Sequence, residues 1–242
     1  MVHGMSQDRR VFGAQADAFR TDYRIQLIDL PGHGLSEDMP GPYGHLELMG
    51  AVLGAMDDAG IARCHYWATH TGTSLGLLMA AADPGRFNSL ILEGAVVPGH
   101  PLPSVDRTFE RVRETALSDG IAAARRQWFD EAAWFDIMHA SPVACRADAH
   151  RVIVNNFTGA PWLFDGPSAP VAPIDDRLAA LELPVLIYNG AHDLDDFIAG
   201  ADFLEAALPN VSRLTISEAG GFPAWEYPER VNTAVADFLK RV

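Results

Sequence analysis

The fold is decided by residues 64–93, CHYWATHTGTSLGLLMAAADPGRFNSLILE. Its first residues, 64–68, predict a short strand, and residues 71–82 predict a helix rich in leucine and alanine. That helix is expected to end at Asp83-Pro84-Gly85, which contains two strong breakers. Residues 89–92 predict a second strand. The order strand, helix, strand is typical of two parallel strands joined by a crossover helix.

The same alternation continues on both sides of this unit. It predicts further strands at 23–30, 183–188 and 211–216, and further helices at 46–59 and 226–242. The pattern therefore predicts an α/β fold with a mainly parallel, doubly wound sheet that is covered by helices on both faces. Because ligands bind at the carboxyl ends of the strands in such sheets, residues that directly follow a strand are the first candidates for a functional site.

Residues 98–177 interrupt the alternation and are rich in aromatic side chains. We interpret them as a helical cap that is inserted between two strands, with a core formed by residues 1–97 and 178–242. Four cap residues are expected to line an apolar substrate pocket: Trp128, Trp134, Phe135 and Trp162. The alternative is that these aromatic side chains only pack the cap onto the core.

Composition excludes several classes of protein. The chain of 242 residues has 32 acidic and 18 basic side chains and a formal net charge of −14, which disfavours nucleic acid and anionic membranes as partners. Two cysteines are too few for a disulfide framework. No apolar run approaches the roughly 20 residues of a spanning helix, and no nucleotide-binding motif is present. We expect a cytoplasmic protein that acts on a small molecule without a cofactor or metal; the pattern does not indicate its oligomeric state.

Five short motifs occur in an order that resembles the α/β-hydrolase superfamily, in its capped single-domain group. They are His3-Gly4, residues 29–36 (DLPGHGLS), residues 60–93, residues 189–193 (NGAHD) and residues 219–223 (AGGFP). The resemblance implies an oxyanion donor after the first motif and a nucleophile at the strand-to-helix turn of the third. It implies an acid in the fourth motif and a general-base histidine in the fifth.

The nucleophile position can be read in two ways. The pattern G-x-S-x-G at residues 72–76 nominates Ser74, but a turn there would shorten the helix to barely two turns before Asp83. A turn at residues 68–72 gives a strand and a helix of normal length, with small residues on both sides. We therefore place His70 at the turn and Ser74 one helical turn further on, as a packing hydroxyl.

The fifth motif has Gly221 where the resemblance implies a histidine, and of the usual triad only Asp193 remains. A serine mechanism needs an imidazole beside the hydroxyl, so we expect no ordinary acyl-enzyme. The imidazole gained at His70 and lost at Gly221 would nearly conserve the volume of one cavity. We therefore expect the His70 ring to enter the space at Gly221 and to pair with Asp193 as a general-base dyad.

The resemblance also implies the remaining site residues. The backbone N–H groups of Met5 and Thr71 are expected to form the oxyanion hole, and Glu93 is a reserve acid for His70. Further pocket residues are expected to be His3, Gly221 and Phe222. His3 and the histidine of residues 29–36 have an alternative role in structural hydrogen bonds, and Asp29 more simply ties down its own loop. A zinc site from His3, His70 and Asp193 lacks a spaced metal motif.

Three functions remain open. The first is hydrolysis, or a related lyase reaction, of a small apolar ester, lactone or carbon–carbon substrate by the His70–Asp193 dyad. The second is a catalytically degenerate protein that binds a small hydrophobic ligand, in which the buried histidine is only a satisfied polar group. The third is base-initiated chemistry without a cofactor, such as an oxygenase or decarboxylase reaction.

The start of the sequence fits this fold poorly. Only Met1-Val2 precede His3-Gly4, whereas the resemblance implies a full strand there and two strands before it. A missing interior strand would leave its neighbours about 10 Å apart, with unpaired backbone groups between them. We expect either that N-terminal strands are missing from this chain or that the sheet closes in another way.

Overall fold

Four strands form one parallel sheet in the structure, a computed structural model that describes residues 1–140 and 142–242. They are β1 (Cys64–Thr69), β2 (Phe87–Glu93), β3 (Val185–Gly190) and β4 (Val211–Ile216). Neighbouring strands in the sheet follow chain order, and each pair is parallel. The predicted α/β class with a mainly parallel sheet is confirmed.

Helices connect the strands. In chain order, α1 to α12 are Gly13–Phe19, His45–Asp58, Thr71–Ala82, Pro103–Ser118, Ile121–Glu131, Asp136–His139, Ala147–Asn156, Ala160–Leu163, Asp175–Leu178, Asp195–Ala207, Pro223–Glu226 and Pro228–Leu239. Helix α2 ends two residues before Gly60, which has φ +66° and whose N–H donates to the Asp57 carbonyl at 2.9 Å. None of the helices that the structure describes is long and apolar enough to cross a membrane.

Both faces of the sheet are covered, as the doubly wound pattern predicts. Helices α2, α3 and α10 pack on one face, where Leu75 and Leu90 belong to the same apolar cluster. Helices α1 and α12 pack on the other face around Trp67 and Tyr188. These side chains are almost completely buried, and each Å² of apolar surface removed from water contributes about 25 cal/mol to stability.

Residues 23–30 do not form a strand, so that prediction is wrong. Only Ile28 of this segment makes a parallel bridge, to Val2, and Val2 also bridges Ala68 of β1. Beyond this contact, a cavity of about 420 Å³ is lined by residues 23–26 on one side and 62–67 on the other. A strand needs a partner along its length to pair its backbone groups, and Met1-Val2 supply one at a single position.

The residues between β2 and β3 contain helices α4 to α9, and most of their buried aromatic side chains form a second apolar cluster. It joins the chain after β3 and the chain before α11 through two phenylalanines, Phe197 and Phe222. The cluster includes four of the predicted pocket residues: Trp128, Trp134, Phe135 and Trp162. These side chains therefore bring the inserted helices against the carboxyl ends of the strands.

Candidate functional site

His70 occupies the sharp turn between β1 and α3. Its backbone angles, φ 46° and ψ −114°, lie outside the regions that non-glycine residues normally adopt. Its N–H donates to the Glu93 carbonyl at 2.9 Å, and its carbonyl accepts from the Thr73 N–H at 2.8 Å. Such strain costs about 1–3 kcal/mol and concentrates at functional sites. The turn thus lies at the residue that the lengths of strand and helix predicted.

Ser74 lies inside α3 and not at the turn. Its side chain is fully buried, and its Oγ is 3.4 Å from Nδ1 of His45. The glycine before it is required by packing, because a Cβ at Gly72 would lie 2.5 Å from the Val2 carbonyl oxygen. The G-x-S-x-G pattern of residues 72–76 therefore reflects, at Gly72, the close approach of the helix to the chain near Val2.

The imidazole of His70 is enclosed by aromatic rings. The rings of Trp134, Phe197 and Phe222 each have their centroids 5.0 Å from that of His70. Burial lowers the pKa of His70 to about 3. A hydrogen bond with the backbone of Gly221 raises the pKa but is the smaller of the two effects. His70 is therefore neutral at pH 7, and its Nε2 has no hydrogen-bond partner in the part of the chain that the structure describes.

Two glycines make room for this imidazole. A Cβ at Gly94, which has φ +57°, would lie 2.6 Å from His70 Nε2. A Cβ at Gly4 would lie 2.9 Å from the His70 Cβ. The His70 side chain therefore fills a slot between the chain after β2 and the turn after His3, and both walls of that slot need glycine.

The space beside Gly221 is filled by Trp134, so the prediction that the His70 ring enters it is wrong. A Cβ at Gly221 would lie 2.2 Å from Cδ1 and 2.7 Å from Nε1 of the Trp134 indole. The His70 ring instead meets the indole edge-to-face. An indole contributed by the inserted helices has enough volume to replace a missing imidazole, which local sequence could not reveal.

Asp193 follows β3 but makes no hydrogen bond to His70. Its Oδ2 accepts from Asn189 Nδ2 at 2.8 Å, and its Oδ1 accepts from the Leu194 N–H at 2.9 Å. Burial raises the pKa of Asp193 to about 7, against the opposing effect of these two donors. Both carboxylate oxygens are engaged, and the structure does not contain the predicted His70–Asp193 pair.

Glu93, the reserve acid, is also directed away from His70. Its Oε2 accepts from the Ala224 N–H at 2.7 Å, and Glu226 Oε2 accepts in the same way from the Gly220 N–H at 2.7 Å. Burial raises the pKa of Glu93 to about 8 and that of Glu226 to about 7. These two carboxyl groups hold the loop before α11 and carry protons near neutral pH.

The backbone N–H groups of Met5 and Thr71, the predicted oxyanion donors, are free among the described residues. Both residues line the cavity beside His70, and neither N–H has a hydrogen-bond partner among the described residues. Thr71 is the first residue of α3, so its N–H is one of the donors that a helix leaves free at its N-terminus. Met5 is followed by Ser6, which has the strained φ of 60°.

A cavity of about 180 Å³ lies beside His70. It is lined by six predicted site residues: Met5, His70, Thr71, Trp128, Trp134 and Phe222. Sequence reasoning missed eight others: Tyr43, His45, Val96, Leu102, Val105, Asp106, Phe109 and Phe197. Val96 and Phe197 follow shortly after β2 and β3, so a wider search beyond the strand ends could have found them.

Four residues predicted to line the pocket are not part of its wall: His3, Phe135, Trp162 and Gly221. Trp134 covers Gly221, as described above. Phe135 stacks on Phe222 with centroids 4.8 Å apart, and Trp162 meets Trp128 edge-to-face. Phe135 and Trp162 therefore have the alternative role, in which an aromatic side chain only contributes to packing, because they lie behind the side chains that form the wall.

His3 has a structural role and is fully buried. Its Nε2 accepts from the Leu30 N–H at 3.0 Å, and its Nδ1 lies 2.7 Å from the Gly4 carbonyl oxygen. Asp29 accepts from the Leu35 N–H at 2.9 Å and forms an ion pair with Arg9, so it ties down its own loop. Among the described residues, no three His, Cys, Asp or Glu side chains come together as metal ligands.

Among the described residues, the cavity wall carries no lysine or arginine. Asp106 is the only carboxylate among the described residues of the wall, and its pKa is raised by partial burial and by the nearby charges of Asp196 and Glu110. An anionic group entering the cavity would meet this negative charge without a cation to balance it. The electrostatics thus favour uncharged ligands.

The loops that frame the site pack backbone against backbone at Gly190. A Cβ there would lie 2.2 Å from the carbonyl oxygens of Ala219 and Gly220. We expect Gly190→Ala to lower the free energy of unfolding by about 3 kcal/mol, because neither backbone segment can move aside easily. Urea denaturation checks this.

Gly54→Ala is the matched control for that measurement. A Cβ at Gly54, which lies within α2, meets no atom within 4 Å. We expect Gly54→Ala to leave stability unchanged or to raise it by up to about 1 kcal/mol. Equal unfolding free energies for Gly190→Ala and the parent protein would contradict the close approach.

Comparison with known proteins agrees with this fold. The sequence model of one family, described as alpha/beta hydrolase fold, matches residues 1–228. The chain is 25% identical over 223 residues to 3-oxoadipate enol-lactonase 2 of Acinetobacter baylyi, which covers 92% of this chain and 81% of that protein. It is 26% identical over 230 residues to a 2-hydroxy-6-oxononadienedioate/2-hydroxy-6-oxononatrienedioate hydrolase of Cupriavidus pinatubonensis. That match covers 90% of this chain and 76% of that protein.

A solved structure shows the same fold. The enol-lactonase from Burkholderia xenovorans superposes with a TM-score of 0.80 at 23% sequence identity. The match covers 99% of this chain and 90% of that protein.

Proposed function

The chain belongs to the alpha/beta hydrolase fold family, and on that premise we propose that it is an enzyme that cleaves a small, largely apolar ester, lactone or carbon–carbon substrate without a serine nucleophile. The reaction is hydrolysis or a related lyase step, and His70 is its general base. One observation carries this proposal. His70, whose neutral imidazole has no partner for Nε2 among the described residues, lines the same cavity as Met5 and Thr71, two residues with free backbone N–H groups.

The chemistry begins with a proton transfer to His70. Its neutral imidazole accepts a proton from a bound water while the water oxygen attacks the substrate carbonyl carbon. The carbonyl oxygen becomes an oxyanion, which accepts hydrogen bonds from the N–H groups of Met5 and Thr71. Each such donor is worth roughly 3 kcal/mol. The imidazolium then returns its proton to the leaving group as the bond to the carbonyl carbon breaks.

Burial makes His70 a weak base in the empty site. The negative charge of the oxyanion must therefore stabilise the imidazolium that forms when His70 accepts the proton. The imidazolium is disfavoured among three aromatic rings, but it forms at the same moment as the negative charge on the substrate. The two opposite charges stabilise each other more strongly in a cavity with mainly apolar walls than they would in bulk water. Proton transfer is therefore favourable only when a substrate is bound.

The relatives support a small-molecule substrate. Those described above are named as an enol-lactonase and as a hydrolase of an oxo-dioate. In this chain, the cavity of about 180 Å³ has mainly apolar walls and no lysine or arginine. We therefore propose that its substrate is uncharged, and that a neutral ester is cleaved faster than the matching compound with a free carboxylate.

The test is a panel of uncharged esters, lactones and carbon–carbon substrates. On any substrate that the parent protein turns over, His70→Ala is expected to lower kcat/KM by about 10², the usual size of a general-base contribution. Asp193→Asn is expected to lower it less than about threefold, because Asp193 bonds to Asn189 and Leu194 and not to His70.

His100→Gln is the control, since His100 pairs with Asp175 away from the cavity. It should match the parent protein. Equal activity of His70→Ala and the parent would disprove the role of His70. A large effect of Asp193→Asn would instead show that the His70–Asp193 pair forms when substrate binds.

A second candidate is binding without catalysis. It is favoured by the absence of any hydrogen bond from Asp193 or Glu93 to His70 among the described residues. This candidate predicts that uncharged ligands raise the melting temperature while no product forms during long incubation.

A further inference from the structure

A second imidazole lines the cavity, and sequence reasoning gave it no role. His45 is the first residue of α2 and lies on the cavity wall together with His70. Burial lowers the pKa of His45, so it too is neutral at pH 7. Its Nδ1 lies 3.4 Å from Oγ of Ser74. The serine that the G-x-S-x-G pattern singles out thus has a histidine partner, although not at the turn.

The hydrogen-bonding needs of Ser74 decide which His45 nitrogen carries the proton. Ser74 is fully buried, and His45 Nδ1 is the only partner of its hydroxyl among the described residues. The alternative acceptor one helical turn earlier, the His70 carbonyl, already accepts from the N–H and hydroxyl of Thr73.

Ser74 Oγ–H must therefore donate to Nδ1, or remain a buried, unpaired donor at a cost of about 1–3 kcal/mol. A neutral imidazole that accepts at Nδ1 carries its proton on Nε2. That nitrogen has no partner among the described residues. It therefore remains available as a hydrogen-bond donor to a molecule in the cavity.

We propose that His45 binds the substrate by donating a hydrogen bond from Nε2–H to one of its neutral oxygen atoms, and that Ser74 positions His45 by fixing this tautomer. The inference rests on the proposed function in one respect, namely that this cavity holds the substrate. The oxyanion that forms during the reaction is held by Met5 and Thr71, so His45 serves a second oxygen, such as the ring oxygen of a lactone. This makes a single-oxygen or purely hydrocarbon ligand a poor fit.

The tautomer can be measured without turnover. In protein labelled with ¹⁵N, long-range ¹H–¹⁵N spectra of the histidine rings are expected to show His45 protonated at Nε2. In Ser74→Ala, the same spectra are expected to show a mixture of the two tautomers. A parent protein with its proton on Nδ1, or a His45 spectrum unchanged by Ser74→Ala, would overturn the inference.

Ligand binding separates this inference from the proposed function. ε-Caprolactone is the probe if it is not hydrolysed, and oxepan-3-one, an uncharged seven-membered cyclic ketone with a ring oxygen and no hydrolysable bond, if it is. Shifts at both His45 and His70 support the inference. Shifts at His70 alone overturn the role of His45 and leave the proposed function standing, whereas shifts at neither imidazole overturn both.

Kinetics give a second readout. With an active lactone, His45→Leu is expected to raise KM about tenfold and to change kcat less than threefold, which is the signature of lost substrate binding. His100→Leu is the control and should change neither constant. An unchanged KM in His45→Leu would contradict the proposed hydrogen bond.

Discussion

The variant His70→Ser/Gly221→His/Trp134→Ala is expected to react with a serine-directed fluorophosphonate at position 70, whereas the parent protein does not react. The backbone for a nucleophile is already present, because the turn at position 70 has φ 46° and ψ −114°. The free N–H groups of Met5 and Thr71 stand beside it. What the parent lacks is a hydroxyl at the turn and an imidazole to remove its proton.

Trp134→Ala is essential to this expectation. A Cβ at Gly221 would lie 2.2 Å from the Trp134 indole, so the new imidazole has no space until that ring is removed. The double variant His70→Ser/Gly221→His is therefore expected to label at least about 10²-fold more slowly than the triple variant. Mass spectrometry of the labelled peptide identifies the site and measures the rate.

Two outcomes would contradict the geometry. Equal labelling of the double and triple variants would show that Trp134 does not block the position beside Gly221. Labelling of the parent protein at Ser74 would show that the nucleophile turn has been assigned to the wrong residue. The single variant His70→Ser, which lacks the imidazole, sets the background rate.

The stability of the fold is expected to fall by several kcal/mol between pH 6.5 and pH 8.5. Three buried carboxyl groups have raised pKa values in the folded protein: Asp193 and Glu226 at about 7, and Glu93 at about 8. Burial is the main cause in each case. Unfolding would return them to ordinary values near 4.

The sign follows from proton binding. A raised pKa means that the folded state holds protons that the unfolded state has released, so the free energy of unfolding decreases as pH rises through the folded pKa. The contribution is fully present below about pH 4 and is lost by about pH 8 or slightly above. Each pKa unit corresponds to about 1.4 kcal/mol.

Buried histidines change the stability of the fold at acidic pH. Burial lowers the pKa of His33, His70 and His150 to about 3. Their contribution is complete above the unfolded value of 6.5 and is lost as pH falls toward 3. Between pH 4 and 6.5 the effects of the carboxyl groups and of these histidines oppose each other, and above pH 6.5 these histidines no longer change the stability.

Urea unfolding at each pH measures this profile. Glu93→Gln and Glu226→Gln are expected to flatten the alkaline arm, because a glutamine side chain can still accept the hydrogen bond from Ala224 or Gly220 without becoming charged. Glu182→Gln is the control, since Glu182 is exposed. Stability that stays constant from pH 6.5 to 8.5 in the parent protein would contradict the raised pKa values.

The contrast between β1 and residues 23–30 shows that a local sequence pattern alone is not enough to predict a strand. Both segments have the composition of a strand, but only β1 has a neighbour along its length, with pairs from Cys64↔Phe87 to Thr69↔Glu93. Residues 23–30 have only the single bridge from Val2 to Ile28. Strand formation depends on a partner, and a local pattern carries no information about that partner.

The sequence by itself determined the position of His70 at the turn and the loss of the histidine at Gly221. Both depend on neighbours along the chain: the length of β1, the start of α3 at Thr71 and its stop before Asp83. Such limits arise from backbone sterics and breaker residues, which act over a few positions.

Only the tertiary structure decided what the His70 imidazole meets. Trp134 fills the space at Gly221, Asp193 turns to Asn189, and His45 pairs with Ser74. The Trp134 and His45 contacts join residues far apart in the chain, while Asp193 and Asn189 are sequence neighbours that the fold turns toward each other. Which of these contacts form depends on which side chain has the volume to fill a space, and on which hydrogen-bond donor is left without another acceptor.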